Sequence, residues 1–407
     1  MSLLEIRTEG TVDDWGLLRW TNSAGDALPV PPPSVGAVNE LPPAPFGVAY
    51  PPPLEGVGRI YLWADGFTTR EKSLTLERAL AMRYLKAASA LVKQYARRGV
   101  DMAAAQQPLQ QAQAAQQANE WAECLARSVA AAEAAVVGLA RAKLQRMHGR
   151  SAFLWGVVID DAACSEALLD ALKPPLNLMT LRTLAQDGAT RPLLEQSQRM
   201  RLSVAAFWSE CTLLQQSVDR LRDAVASLRG GVRYWNIAAN LHRCEVSAHT
   251  TRQLTMLCEA GRTADFGITR LLHGKHGFYE SQSPHDLLGL CVETGVPFEA
   301  VHLEWRWYDG SLYDLDALLE RYGELGKPIH LTLHLPPENG YGVFSRAEPM
   351  RWIEEACLIA LSKPYVIALQ VPLRASEQSG GALEGEQPSP HWQRIAQVAV
   401  WNALLQD

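Results

Sequence analysis

The second half of the chain alternates strand-like and helix-like patterns, and this alternation constrains the fold more than any other feature. Each short apolar run after Arg150 is followed by an amphipathic helical pattern. The predicted strands are residues 153–159, 176–181, 202–207, 232–238, 264–271, 300–303, 329–333 and 366–371. Strands that alternate with helices form a parallel sheet, and eight such units close into a barrel within roughly 250 residues. Residues 151–407 therefore predict a (β/α)8 TIM barrel.

Two further regions precede the predicted barrel. Residues 1–75 carry a Pro-rich tract from Pro29 to Pro53 between short β-like runs, which predicts a small β-sandwich-like module. Residues 76–150 carry apolar residues at three- and four-residue steps, with a turn at Gly99 between two long helices. We expect an α-helical hairpin whose second helix runs through an Ala/Gln-rich stretch to Met147. Such a hairpin either packs on the neighbouring domain or binds a partner protein.

Charge and cysteine content exclude several classes of protein. The chain has 38 Lys and Arg against 44 Asp and Glu, a net charge of −6, and its basic residues are scattered, so no nucleic-acid partner is expected. Seven cysteines without a C-x-x-C pair predict reduced thiols and no zinc site. No apolar run reaches the roughly 18 residues of a membrane span, and the first residues lack a signal-peptide pattern. We expect a cytoplasmic protein with no membrane contact, metal or cofactor.

Candidate functional residues follow from the predicted fold, because a (β/α)8 barrel forms its site at the carboxyl ends of its strands. The residues at these ends are rich in Trp, Arg and His and poor in paired acids. They are Asp160, Asp161, Arg182, Trp208, Glu210, Asn240, His242, Arg270, His273, Glu304, Trp305, Arg306, Trp307, His334, Gln370 and Arg374.

Two strands resemble those of a known family. The run Lys327-Pro-Ile-His-Leu-Thr-Leu-His-Leu-Pro336 resembles the seventh strand of the family 10 glycoside hydrolases, xylanase-type barrels, in which the nucleophilic Glu follows the Thr. Here that place is Leu333. The run from Val232 to Asn240 resembles the fourth strand, usually W-D-V-V-N-E, whose Glu is the general acid/base, and here that place is Asn240. A retaining glycosidase needs both carboxylates. The resemblance therefore implies a family 10-like barrel that is degenerate at both catalytic positions.

The first functional hypothesis is a non-hydrolytic protein that binds a carbohydrate or serves as a scaffold. Flat sugar faces stack on aromatic rings, so Trp208, Trp305 and Trp307 are candidates for a sugar platform. The polar candidates for ligand binding are Arg182, His334 and Gln370.

Two alternatives stay open. In one, the protein is an active O-glycosyl hydrolase with relocated acids, in which Glu304 has a raised pKa between two Trp residues. Its second carboxylate would come from Asp160, Asp161 or Glu210. The competing interpretation of Glu304 is a salt bridge to a rim arginine, either Arg182, Arg270 or Arg306. In the other alternative, the protein is an assembly component that contacts its partners through the helical hairpin.

Overall fold

The computed structural model describes residues 3–8, 15–34, 38–68, 70, 72–160, 165–182, 190–208, 215–278, 283–376 and 378–406. Within these residues the strands are β1 Leu3–Arg7, β2 Arg19–Thr21, β3 Val38–Glu40, β4 Phe46–Tyr50, β5 Pro53–Leu54, β6 Gly58–Arg59, β7 Leu62–Phe67, β8 Ser73–Thr75, β9 Leu154–Ile159, β10 Leu178–Leu181, β11 Ser203–Phe207, β12 Tyr234–Ala238, β13 Thr269–Lys275, β14 Ala300–Arg306, β15 Ile329–His334, β16 Ser345–Arg346, β17 Val366–Pro372, β18 Leu383–Glu384 and β19 Gln387–Pro388. The α-helices are α1 Leu76–Arg97, α2 Ala103–Ala118, α3 Trp121–Arg146, α4 Glu166–Ala171, α5 Thr190–Arg199, α6 Gln215–Ser227, α7 Ala248–Ala264, α8 Pro284–Glu293, α9 Leu312–Gly323, α10 Pro349–Ser362 and α11 Pro390–Leu404. None of these helices is long and apolar enough to cross a membrane.

The predicted (β/α)8 barrel is confirmed. Strands β9 to β15 and β17 pair in parallel and in chain order, and β17 pairs back onto β9 to close the cylinder. The fifth predicted strand, 264–271, is placed too early, because α7 continues to Ala264 and the strand begins at Thr269. Between them the Asp265 side chain accepts the backbone N–H of Gly267 at 2.8 Å, a local turn that separates helix from strand.

Contacts across the cylinder show which side chains point inward. His302 on β14 contacts Asn236 on β12, and the Tyr234 ring on β12 lies 4.8 Å from the His330 ring on β15. These strands are not neighbours, so both contacts cross the interior. Because side chains alternate between the two faces of a strand, these contacts define which residues of each strand point into the barrel. From the amino to the carboxyl ends of the strands these residues include Leu178, Ala205, Tyr234, Leu271, Ala300, Ala368, His330, Thr180, Asn236, His302, Thr332, Gln370, His273, Glu304, Arg182, Asp160, Lys275 and His334.

The middle of the barrel is polar, and several of its polar groups bond one another, whereas both ring nitrogens of His330 are buried without a hydrogen-bond partner. His302 Nδ1 lies 2.9 Å from Asn236 Oδ1, and His302 Nε2 lies 2.7 Å from Thr332 Oγ1. An amide oxygen only accepts, so the imidazole carries its proton on Nδ1 and accepts the Thr332 hydroxyl on Nε2. On the other side of the cylinder Thr180 donates its hydroxyl to Gln370. Buried polar groups that satisfy one another in this way fix the inward register of the strands.

The N-terminal β-rich region contains three small sheets, two of which share one hydrophobic core. Three three-stranded sheets form, in the orders β3-β1-β8, β2-β4-β7 and β16-β6-β5. The first two sheets pack on one core that includes Leu4, Ile6, Trp20 and Phe46. The third sheet takes β16 from the barrel half of the chain, where Ser345 pairs with Arg59.

The region predicted as a two-helix hairpin contains three helices. Gly99 follows α1 with a φ of 74°, as the expected turn requires. The chain breaks a second time at Asn119, which adopts a left-handed φ of 61° between α2 and α3. Asn is one of the few residues that adopt this conformation at low cost. The Ala and Gln residues before Asn119 all favour helix, which is why the sequence predicts one continuous helix. The structure shows that this prediction was wrong.

Asp314 connects the N-terminal regions to the barrel through hydrogen bonds and an ion pair. Its carboxylate accepts the Tyr84 hydroxyl at 2.7 Å and the Trp63 indole N–H at 3.2 Å, and it pairs with Arg83 at 3.4 Å. The same carboxylate forms a capping box with Ser311 at the start of α9. One buried acid thus bonds β7, α1 and the first turn of α9.

We predict that Asp314→Ala lowers the free energy of unfolding by about 3 kcal/mol or more, because it removes the acceptor of the buried Tyr84 hydroxyl and of the half-buried Trp63 and Arg83 together with the capping box of α9. Urea unfolding followed by circular dichroism measures the change. Asp219→Ala, which removes an exposed salt bridge to Arg222 on α6, is the control and should cost at most about 0.5 kcal/mol. A loss below about 1 kcal/mol for Asp314→Ala would contradict this role.

Candidate functional site

The candidate site is the mouth of the barrel, where β14 presents the carboxylate of Glu304. Its Oε1 lies 2.9 Å from Arg182 Nη2 and 3.1 Å from His273 Nε2. Its Oε2 lies 3.4 Å from His334 Nε2 and 3.5 Å from Lys275 Nζ. Four donor groups from three other strand ends therefore converge on one buried acid.

These contacts keep Glu304 ionised. Burial raises its pKa, but the contacts with His273 and His334 and the charge of Arg182 together hold the pKa well below its usual range. Burial lowers the pKa of His273, so that imidazole is neutral near pH 7. The pKa of Glu304 is therefore shifted in the direction opposite to the one that the general-acid alternative requires.

Of the three rim arginines that the sequence offers as salt-bridge partners of Glu304, one pairs with it. Arg182 holds Glu304, whereas Arg270 pairs with Glu299 and Arg306 pairs with Asp309.

Asn240 contributes its backbone to this arrangement. The residue has a left-handed φ of 61°, and its N–H donates to His273 Nδ1 at 3.2 Å. Because that nitrogen accepts, the neutral ring carries its proton on Nε2, the nitrogen that faces Glu304. Asn240 thus orients a histidine through its main chain.

Leu333 does not face the mouth. Its neighbours Thr332 and His334 point inward, so its side chain points outward, where it is fully buried in the layer between sheet and helices. It pairs across the sheet with Trp305, which is also outward. The expectation that Leu333 stands at the mouth in place of a nucleophile is not met, because the strand presents the residues on either side of it.

Two of the three tryptophans proposed as a sugar platform are in the core. Trp305 is 1% exposed and Trp307 is 0% exposed, and the Trp307 indole donates to the Gln378 carbonyl at 3.0 Å. Trp208, directly after β11, is partly exposed but packs against the outward-facing core, because the preceding Phe207 points into the barrel. Of the polar candidates, Gln370 is buried in the middle of the barrel and does not reach the mouth. Arg182 and His334 do lie at the mouth.

The candidate second carboxylate that can be placed is Asp160, which is 67% exposed and pairs with Arg182 Nε at 2.9 Å. Asp161 and Glu210 lie outside the described residues. Both described acids at the mouth are thus bound to the same guanidinium group. Among the described residues, no cluster of His, Cys, Asp and Glu has the arrangement of a metal site.

Lys275 was missed by the sequence analysis because the fifth strand was placed too early. The run Thr269-Arg-Leu-Leu-His-Gly-Lys275 carries the signal that could have found it. Leu271, His273 and Lys275 are two residues apart, so a strand through all of them brings the lysine to the same face as the histidine.

The fold and site define a (β/α)8 barrel with an ion-paired carboxylate at its mouth. No protein-family model matches the chain, and no curated protein is similar to it in sequence. Among solved structures, the chain is similar to a GH10 endoxylanase from a sugarcane soil metagenome (12% identity, 61% of this chain and 97% of that chain, TM-score 0.48). It is also similar to a GH10 protein from Paenibacillus barcinonensis (12%, 64% and 97%, TM-score 0.47) and to an intracellular xylanase from Thermoanaerobacterium saccharolyticum (14%, 60% and 95%, TM-score 0.45).

We predict that Leu333→Glu destabilises the protein by at least about 4 kcal/mol, because it places a carboxylate without a partner between sheet and helices. Denaturant unfolding tests this, with the volume-conserving Leu333→Met as the control at a cost below about 1.5 kcal/mol. If Leu333→Glu folds with the stability of the parent chain, the outward orientation of Leu333 is contradicted.

His330 makes stability depend on pH. It is fully buried, and burial lowers its pKa to about 3. Between the ordinary pKa of 6.5 and this lowered value, the imidazole is protonated in the unfolded chain and neutral in the folded chain. Stability should therefore fall as pH drops from about 6.5 towards 3, by about 1.4 kcal/mol per pH unit from this residue.

In His330→Leu, the fall in stability between about pH 6 and pH 4 should be shallower by about 1.4 kcal/mol per pH unit than in the parent chain. The exposed His249→Gln is the control, and its profile should follow that of the parent chain. Equal slopes for His330→Leu and the parent chain would contradict a neutral buried His330.

Proposed function

We propose that the protein binds a carbohydrate at the mouth of its barrel without hydrolysing it. The observation that carries this proposal is the ion pairing of Glu304, whose carboxylate is shared among Arg182, His273, Lys275 and His334. A glycosidase needs one carboxylate to attack or activate water and another group to give a proton to the leaving oxygen. An acid that stays ionised gives no proton.

The chemistry of the mouth supports a polyhydroxyl ligand. Asp160, Arg182, Lys275 and His334 are each at least partly exposed and together offer both acceptors and donors. Sugar hydroxyls donate and accept hydrogen bonds, so they can pair with these acceptors and donors. The resemblance of two strands to family 10 glycoside hydrolases favours the same class of ligand.

The second candidate is an active O-glycosyl hydrolase in which Glu304 is the nucleophile. One observation favours it: a nucleophilic carboxylate must be ionised, and Glu304 is. The proton donor would then be Asp160, Asp161 or Glu210. The third function, scaffolding through residues 76–150, has less support, since the large hydrophobic side chains that the described part of this region exposes are Met82 and Met147 alone. A cytoplasmic location stays a prediction.

We expect the purified protein to bind an oligosaccharide on a glycan array and to leave aryl glycosides uncleaved. Asp160→Ala should weaken binding of the captured glycan about tenfold by calorimetry, because it removes an exposed acceptor at the mouth. Glu259→Ala is the control, because Glu259 is an exposed acid in the second half of α7, towards the end of the barrel opposite the mouth.

Glu304→Gln separates the two candidates. Turnover of an aryl glycoside by the parent chain that is lost in this variant would overturn the non-hydrolytic proposal and favour the nucleophile. If neither turnover nor glycan binding is found with the parent chain, both carbohydrate functions are wrong.

A further inference from the structure

Residues that precede the barrel in the chain reach the loops that surround its mouth. Strand β6 pairs with β16, where Arg59 lies opposite Ser345, and the Val57 carbonyl accepts the backbone N–H of Ala347 at 3.0 Å. Strand β16 belongs to the segment that joins β15 to α10, and this segment begins directly after His334. The N-terminal region is therefore bonded to a loop at the carboxyl ends of the barrel strands.

One side chain of this region, Tyr61, lies between three such loops. Its ring is fully buried, with its centroid 4.7 Å from that of Phe278 after β13 and 5.6 Å from that of Phe344 after β15. Its backbone N–H donates to the carbonyl of Tyr308 after β14 at 2.9 Å. The Tyr308 ring in turn stacks on the Phe344 ring at 4.6 Å. These four aromatic residues join three neighbouring strand ends into one packed unit.

The loops in this aromatic unit begin at the mouth. Lys275 ends β13 and His334 ends β15, and both side chains contact the Glu304 carboxylate. Trp307, the residue before Tyr308, donates its backbone N–H to the His334 carbonyl at 3.1 Å. A displacement of the aromatic unit would therefore change how Lys275 and His334 reach the carboxylate that they share.

We propose that Tyr61 is a positioning residue of the mouth, which holds the loops after β13, β14 and β15 so that Lys275 and His334 reach Glu304. Its ring acts on the loops by packing, because its hydroxyl donates to the Leu17 carbonyl at 3.1 Å, within the N-terminal region. The N-terminal region is then part of the site rather than an appended module. The proposal concerns how the mouth is held, so it does not depend on which ligand the mouth binds.

Titration of the Glu304 carboxyl by carbon-13 NMR tests this role. Tyr61→Ala removes the ring, so the contacts of Glu304 loosen and its pKa should rise by about one pH unit towards the ordinary value. Tyr61→Phe keeps the ring, and its Glu304 should titrate as in the parent chain.

Phe153→Ala is the matched control for the loss of a buried ring. Phe153 packs on Trp155 and directly precedes β9, so it lies at the end of the barrel opposite the mouth. This variant should lower the midpoint of urea unfolding, as Tyr61→Ala does, and leave the pKa of Glu304 unchanged. Loss of stability alone would affect both variants, whereas loss of positioning affects only Tyr61→Ala.

Two glycine variants test the same role if Tyr61→Ala does not fold. Gly58 and Gly56 both have a positive φ, of 108° and 73°. A Cβ atom at Gly58 would meet the Ser345 carbonyl oxygen and, at 2.8 Å, the Cα of Arg346, whereas a Cβ atom at Gly56 would meet nothing within 4 Å. Both alanines strain the backbone, but only Gly58→Ala should displace the loop after β15 and raise the pKa of Glu304.

Two results overturn the proposal. One is a folded Tyr61→Ala variant in which Glu304 titrates as in the parent chain. The other is an equal pKa of Glu304 in Gly58→Ala and Gly56→Ala, because the contact between β6 and β16 would then have no influence on the mouth.

Discussion

The arrangement of the mouth depends on one buried negative charge, that of Glu304. An ionised carboxylate inside a protein is costly unless charged and polar partners surround it. Here the partners come from the ends of β10, β13 and β15, and the backbone of Asn240 orients one of them. The strand ends are therefore coupled electrostatically as well as by sheet pairing. The same coupling keeps the acid ionised, which removes it as a proton donor.

The sequence predicts the barrel correctly because the alternation of strands and helices is a local pattern repeated eight times. It predicts the orientation of individual side chains less well. The run Ile-His-Leu-Thr-Leu-His334 alternates polar and apolar residues, and that alternation alone puts His330, Thr332 and His334 on one face and Leu333 on the other. The family resemblance predicts Leu333 at the mouth, whereas the period-two pattern predicts it on the outer face, and the structure agrees with the period-two pattern.

Other features could not be read from the sequence at all. Trp305 and Trp307 follow Glu304 closely, but whether an aromatic residue at a strand end is core or surface depends on which face the strand buries. The pairing of Arg182 with Glu304 joins β10 and β14 across the cylinder, and such a contact depends on strand register and barrel closure. The sequence identifies Arg182 only as one of three candidate arginines. Its pairing with Glu304 follows from the closed barrel.

The central claim is that Glu304 is an ionised, ion-paired carboxylate rather than a catalytic acid. Carbon-13 NMR of the glutamate side-chain carboxyls, with Glu304→Gln to assign the resonance, tests it most directly. We predict that the Glu304 signal stays in its ionised position as pH is lowered past 4.5, the ordinary pKa of the group. Titration of that signal above 4.5 would contradict the account.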